Sequence, residues 1–353
     1  VVYPGRGVSH MRRILAVSSL VRFASSLTMP SSVVYPGFES ALTTEAKAKT
    51  FAVTGCTSGT GLVAAKCFAK KGASHVFLLN RPSPRAESAL TDVKAVAAEG
   101  CIVTHVDYDA MSFASVRAAA KTVLAATPEL DVLANNAGVM ALQDKATTDG
   151  YDLQMQTNHL SHFLLAKELY PAVKAAAAAR GEARIVHHSS ISRNWPADLP
   201  LTADIAAQYL GKNGGNLGGD DPAMGGPRWV RYHYSKLANV CFSLALADKL
   251  PAGIKALCAA PGVAATNLQV TSEASGQTGA MNFQKDAQTP EDGAVPLLTC
   301  CLAADVQSGE FYEPEHTTRG PAKLTQLEPI SLEADRDALW SASEAAIGEK
   351  WGL

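Results

Sequence analysis

Charge is scarce in this chain and nearly cancels: 18% of the 353 residues are charged, 31 basic against 33 acidic. A net charge of −2 leaves no basic surplus for a polyanion, so neither nucleic acid nor an anionic membrane is an expected partner, and a small molecule is. Cysteine is limited to seven, Cys56, Cys67, Cys101, Cys241, Cys258, Cys300 and Cys301, an odd number without any C-x-x-C spacing. That pattern suits reduced, buried thiols better than a disulfide framework. The nine histidines do not fall at ligand spacing with these cysteines, so no metal is expected. A membrane span is also missing, since the apolar run from Ile14 is cut at Arg22, far short of the ~18 residues required. What is plentiful is apolar material, 47% of the chain, enough for a sizeable core and incompatible with overall disorder.

Acidic residues are absent between Val1 and Phe38, where Arg6, Arg12, Arg13 and Arg22 lie among serines. An acid-poor, Arg/Ser-rich leader over residues 1–45 is the composition of an organelle transit peptide, with plastid or mitochondrion as the expected compartment. A secretory signal and a disordered extension of a cytoplasmic protein are the competing readings. Met11 is the expected start, and Val1-Val2-Tyr3-Pro4-Gly5 recurs as Val33-Val34-Tyr35-Pro36-Gly37.

From Thr50 onward, short runs rich in Val, Ile and Leu alternate with longer alanine-rich stretches. Strands joined by crossover helices read this way, which predicts an α/β, doubly wound, mainly parallel sheet with helices on both faces. Strands are expected at Phe51–Thr54, His75–Asn80, Ile102–Val106, Val132–Asn135, Arg184–His188, Ile254–Ala259 and Glu310–Tyr312, seven in all. The intervening helices are expected near Gly59–Lys71, Pro84–Glu99, Ser112–Ala126, Gly150–Ala179, Tyr232–Leu250 and Glu291–Ala304. No composition break divides residues 46–353, so one domain is expected. Two stretches interrupt the alternation: a glycine-rich insertion at 194–229 and a polar segment at 264–289. Either lines the ligand crevice at the strand ends or is a solvated loop. A last helix near Leu332–Ile347 offers Leu332, Leu339, Trp340 and Ile347 for packing.

The first strand runs into Gly55-Cys56-Thr57-Ser58-Gly59-Thr60-Gly61 and then an alanine-rich helix. Gly55 permits a tight turn, Gly59 a close backbone approach by a pyrophosphate, and Gly61 close helix–strand packing. The helix N-terminus presents free N–H groups to an anion, so the segment reads as a dinucleotide site. The second strand ends at Asn80-Arg81, where an acid would hold the ribose hydroxyls of NAD(H). Arg81, helped by Ser58, suits the 2′-phosphate of NADP(H) better. Cys56 sits where a helix N-terminus lowers a thiol pKa, although a small filler residue accounts for it as well.

Tyr232 and Lys236 are four apart and share a helix face that Tyr234 does not. An ammonium beside a phenol favours its ionised form, which makes an acid–base group at neutral pH. The strand Arg184–His188 delivers Ser189 and Ser190 to its C-terminal end, while its adjacent His187 and His188 point oppositely, into core and crevice. Earlier lie Asn135-Asn136-Ala137-Gly138 and, in the following helix, Asn158.

Taken in order, the glycine turn, Asn135–Gly138, Asn158, Ser189-Ser190, Tyr232/Lys236 and Pro261-Gly262 resemble the motif set of the short-chain dehydrogenase/reductase family over roughly Thr50–Tyr312. Tyr232–Asn239 looks most like the retinol dehydrogenase and protochlorophyllide reductase branches. The resemblance implies a Rossmann-type domain in which Tyr232 is the general acid, Lys236 lowers its pKa and holds the nicotinamide ribose, Ser190 orients the carbonyl and Asn158 holds a water. It places Asp107 at the adenine, Asn135 and Ala137 at the adenosine ribose, and Pro261, Gly262 and Thr266 around the nicotinamide. The long interval between Ser190 and Tyr232 departs from the shortest family members and leaves Ser189 as the alternative. The implied activity is NADP(H)-dependent interconversion of a carbonyl and an alcohol on an apolar small molecule, with a homodimer expected. Protochlorophyllide reductase-like C=C reduction and a silent NADP-sensing protein are the alternatives. The first lacks a cysteine in the insertion; the second would have lost Tyr232 or Lys236.

Overall fold

The computed structural model describes Phe38 and residues 46–194, 201–277, 287–327 and 333–353. Apart from Phe38, the expected leader lies outside the described residues, as do parts of both irregular segments.

Seven strands run parallel: β1 (Thr50–Thr54), β2 (His75–Asn80), β3 (Ile102–Asp107), β4 (Val132–Asn135), β5 (Ala183–His188), β6 (Ile254–Ala259) and β7 (Phe311–Pro314). The sheet order is β3-β2-β1-β4-β5-β6-β7-β8. The sheet therefore has eight strands rather than the expected seven, because β8 (Ala322–Leu324) adds antiparallel to β7 at the edge. β8 is only three residues long, with no apolar alternation to announce it. The chain winds outward from β1 through β3, then returns to β4 and winds the other way. That reversal between β1 and β4 opens a crevice at the carboxyl ends of the strands.

All residues of β1, β4 and β5 are buried, which requires cover on both faces. The helices supply it: α1 (Gly59–Lys70), α2 (Pro84–Val96), α3 (Phe113–Ala126), α4 (Ser161–Arg180), α5 (Ala203–Tyr209), α6 (Pro227–Lys249), α7 (Asn267–Ala274), α8 (Pro290–Leu302) and α9 (Glu333–Ile347). One core lies among α3, α4, α6 and α9; the other lies under α1 and α8. Local chemistry sets the starts: Ser83 and Ser112 accept N–H bonds at α2 and α3, and Pro227 occupies the first turn of α6. That proline moves the start of α6 upstream of Tyr232. In α9, Leu339, Trp340 and Ile347 are buried, and Trp340 meets Phe163 of α4 edge-on at 5.1 Å.

The helix expected over Gly150–Ala179 is interrupted by a π-helical turn at Gln156–Leu160, ahead of α4. The Asn158 side chain accepts from the Val139 N–H at 2.8 Å and donates to the Val139 carbonyl at 3.0 Å. His162 pairs with the Asn158 carbonyl at 3.0 Å. Widened turns of this kind concentrate at functional sites.

The described part of the insertion is tied down by Arg231, which is fully buried and donates to the carbonyls of Leu217 and Gly219 at 2.9 Å. Asp144 accepts from the N–H groups of Leu217 and Gly219 at 2.7 and 3.0 Å. Asp152 lies 3.4 Å from Arg231 Nε, and burial pushes its carboxyl up to about 6. Among the described residues no helix is long and apolar enough to cross a membrane.

Candidate active site

A cavity of about 590 Å³ opens at the carboxyl ends of the strands, between the glycine turn, the end of β5, the start of α6 and the Pro261–Gln269 segment. Gly55 and Gly59 both have left-handed backbone, with φ of +72° and +59°. A Cβ on Gly55 would lie 2.8 Å from the Ala137 Cα, and one on Gly59 would lie 2.9 Å from Thr266 Cγ2. A Cβ on Gly61 would meet Asn136 Nδ2 and the Gly55 carbonyl at 2.4 Å, so this glycine packs α1 onto the turn and does not line the cavity. Ser58 at the head of α1 makes no side-chain capping bond, leaving the helix N-terminus available to an anion. Thr57, Ser58, Thr60 and Arg81 line the same end. These residues therefore fit a dinucleotide phosphate. Cys56 faces away: its thiol donates to the Val53 carbonyl at 3.0 Å and burial pushes its pKa up, the opposite of a redox-sensitive thiol.

At the other end, Tyr232 is on the wall, 2% exposed, and Ser190 stands on the same wall. Ser189 also reaches the wall, but its hydroxyl donates to the Lys236 carbonyl at 2.7 Å, so Ser190 is the serine presented to the phenol. Lys236 Nζ donates to the His188 carbonyl at 3.0 Å and lies 5.9 Å from the Tyr232 ring centre. Tyr234 turns off this face and packs on Tyr209 at 4.6 Å. Burial pushes the Tyr232 phenol up to about 12, against a smaller lowering by nearby Ser190, and pulls Lys236 down to about 8. Desolvation within the chain itself, rather than the Lys236 charge, sets the direction of the Tyr232 shift.

At three positions the cavity lining differs from the residues expected there. Asp107 is exposed and pairs with His105 at 3.7 Å; Asp109, two residues further on, lines the cavity. Asn135 is buried in β4 behind the wall, which is formed by Asn136, Ala137, Gly138 and Val139. Strand alternation could have separated Asn135 from Asn136. Asn158 is fully buried and also absent from the wall, where Thr157 stands; it bonds Val139 and, at 2.8 Å, the Ser235 hydroxyl. Pro261, Gly262 and Thr266 line the cavity, and a Cβ on Gly262 would strike the Thr318 carbonyl at 2.3 Å.

Other lining residues escaped sequence reasoning. Arg85, in the first turn of α2, lines the cavity with Arg81, and His188 bonds Asn136 Oδ1 at 2.8 Å. Tyr232 packs with Met140 and Trp229, Leu268 lies against them, and Val139, Ile191 and Met224 also line the cavity. The charged lining residues are Arg81, Arg85 and Asp109 at the β2–β3 end, plus Lys236. No group of His, Cys, Asp and Glu placed to hold a metal occurs among the described residues.

The short chain dehydrogenase family pattern matches residues 49–198. Mouse retinol dehydrogenase 11 is 30% identical over 301 residues, covering 83% of this chain and 82% of its own length. A crystal structure of an uncharacterised Mycobacterium paratuberculosis protein superimposes with a TM-score of 0.66 at 25% identity, over 89% of this chain and 98% of that one. L-sorbose reductase from Gluconobacter frateurii, described in complex with NADPH and L-sorbose, shares the fold with a TM-score of 0.56 at 23% identity, over 78% of this chain and 97% of that one. The chain belongs to the short-chain dehydrogenase/reductase family and is an oxidoreductase, similar within that family to the retinol dehydrogenases.

Proposed function

We propose that the protein interconverts a carbonyl and an alcohol on an uncharged, apolar small molecule, using NADP(H). The observation that carries this reading is that Tyr232, Ser190 and Lys236 share one wall of the cavity that the glycine turn opens. A bound nicotinamide dinucleotide would supply or accept the hydride. Ser190 donates to the substrate oxygen and Tyr232 transfers a proton to it during reduction. With its pKa pushed up to about 12, the phenol is protonated at neutral pH, the state in which reduction begins. Lys236 would hold the nicotinamide ribose, and its charge favours the phenolate that oxidation requires.

At the other end, Arg81 and Arg85 present guanidinium groups to a 2′-phosphate, with Ser58 beside them. Arg85 strengthens the preference for NADP(H) over NAD(H), because an unpartnered 2′-hydroxyl would give neither arginine an anion. Tyr232 packs with the apolar Met140 and Trp229, and away from the β2–β3 end Lys236 is the charged lining residue, so a carboxylate or phosphate on the substrate would lose hydration with little compensation. The test is NADPH oxidation with a panel of straight-chain aldehydes and ketones, set against carboxylate-bearing analogues. Turnover of the uncharged members is expected. Cofactor binding without turnover for every carbonyl would refute the reading.

A further inference from the structure

Beside Ser190 the chain builds a buried ion pair that the chemistry above does not use. Arg193 lies in the 3-10 turn Ile191–Asn194, and Glu313 lies in β7, 120 residues later. The guanidinium Nη1 and Nη2 each donate to a Glu313 carboxylate oxygen at 3.1 Å. The side chains are 3% and 7% exposed. Phe311, from the same strand as Glu313, has its ring centre 4.1 Å from the Arg193 guanidinium carbon. Nη1 also donates to the Ser190 carbonyl at 3.2 Å, and that oxygen receives the Arg193 backbone N–H at 3.1 Å as well. On the other side of the same residue, the Ser190 hydroxyl accepts from the Ser192 N–H at 3.2 Å, and Ser190 shares the cavity wall with Tyr232.

Stability alone gives weak reason for such a pair, because two charges removed from water are often replaced by apolar side chains without loss. What an apolar pair cannot do is grip a carbonyl. A two-point fork fixes the orientation of the guanidinium as well as its charge, and a lysine cannot reproduce that geometry. The third guanidinium contact is spent on the one residue whose hydroxyl faces the phenol.

We infer that Arg193, oriented by Glu313, is a positioning residue that fixes the Ser190 carbonyl and thereby aims the Ser190 hydroxyl at the substrate oxygen. This rests on Ser190 acting on the substrate as proposed above. The fork anchors the turn after β5 to β7, a strand that also pairs with β6, whose end leads into Pro261-Gly262. Both sides of the reacting centre are thus held to one another across the sheet.

A double-mutant cycle on kcat separates positioning from bulk structure. Arg193→Lys, Ser190→Ala and their combination are compared with the wild type, using NADPH and the fastest substrate in a panel of straight-chain aldehydes. Arg193→Lys is expected to lower kcat about ten- to a hundredfold, as small misplacements of a catalytic group do, with the Kd for NADPH changed less than about twofold. In the Ser190→Ala background the same replacement should cause no further loss. Should Arg193→Lys fail to fold, Arg193→Met/Glu313→Leu carries the test, since it exchanges the pair for apolar groups; it should fold and lose kcat to the same extent. Equal losses with and without Ser190, or full activity in the apolar double variant, would overturn the inference alone. Wild-type kcat in Ser190→Ala would instead overturn the role of Ser190, and the inference with it.

Discussion

Four buried histidines around the site, less one opposing carboxyl, are expected to remove about 7 kcal/mol of folding stability as the pH falls from 7 to 5. His233, pulled down to about 3 by burial, adds to that loss. The source is a set of histidines packed around the site. His159 bonds Ser343 at 2.8 Å, His162 bonds Thr54 at 3.0 Å, His187 bonds Ser243 at 2.8 Å and His188 bonds Asn136 at 2.8 Å. Burial pulls His159, His162 and His188 down to about 3, and His187 well below its ordinary 6.5. The unfolded chain takes up a proton at each of these positions below pH ~6.5 while the folded chain does not. Each therefore contributes stability that is present above the unfolded pKa and lost as pH falls through it. Integrated between pH 7 and 5, each costs about 2 kcal/mol, or about 8 kcal/mol for the four. Asp152 works in the opposite sense, because its folded pKa is raised, and returns about 1 kcal/mol over the same window. The loss rivals the total stability of an ordinary domain, about 5–15 kcal/mol. Urea unfolding followed by tryptophan fluorescence at pH 7, 6 and 5 measures it. His187→Asn, which keeps a donor for Ser243, should flatten the pH slope by about one proton. A loss below about 2 kcal/mol between pH 7 and 5 would refute the argument.

Three other perturbations follow from particular contacts. Gly61→Ala places a methyl 2.4 Å from both Asn136 Nδ2 and the Gly55 carbonyl, so it should cost about 1–3 kcal/mol and weaken NADPH binding at least about tenfold by fluorescence titration. Arg231→Met strands Asp152 and Asp144 without their buried cation and should cost about 3–5 kcal/mol, read as a fall in Tm. Arg81→Asp replaces a phosphate donor with an acid suited to ribose hydroxyls, so the ratio of kcat/KM for NADPH over NADH should fall at least about tenfold; an unchanged ratio would contradict the 2′-phosphate assignment.

The parallel framework was legible because its strands are short apolar runs whose burial on two faces admits no other arrangement; β2, β4 and β6 begin and end where the sequence places them. The glycine turn was legible for a similar reason, since Gly55 and Gly59 adopt backbone that other residues avoid. Tyr232, Lys236 and Ser190 meet on one wall as helix spacing and strand ends suggested. Legibility failed where position depends on the path of the chain beyond a strand. Asp107 and Asp109 are alike in sequence, and only the turn after β3 brings Asp109 to the cavity. β8 exists because Ala322–Leu324 meets β7, and the π-helical turn exists because Val139 and His162 take up the Asn158 polar groups. The Arg193–Glu313 fork joins residues 120 apart, a pairing no local pattern encodes.

The central claim is that the phenol of Tyr232 moves the proton in a reaction whose hydride belongs to a bound nicotinamide. Tyr232→Phe removes one oxygen from a buried side chain and leaves the glycine turn, Arg81 and Lys236 in place. Steady-state turnover and NADPH titration on this variant should give a kcat lower by about a hundredfold or more, with the Kd for NADPH within about twofold of wild type. A variant that binds NADPH and still turns over at close to the wild-type rate would contradict the account.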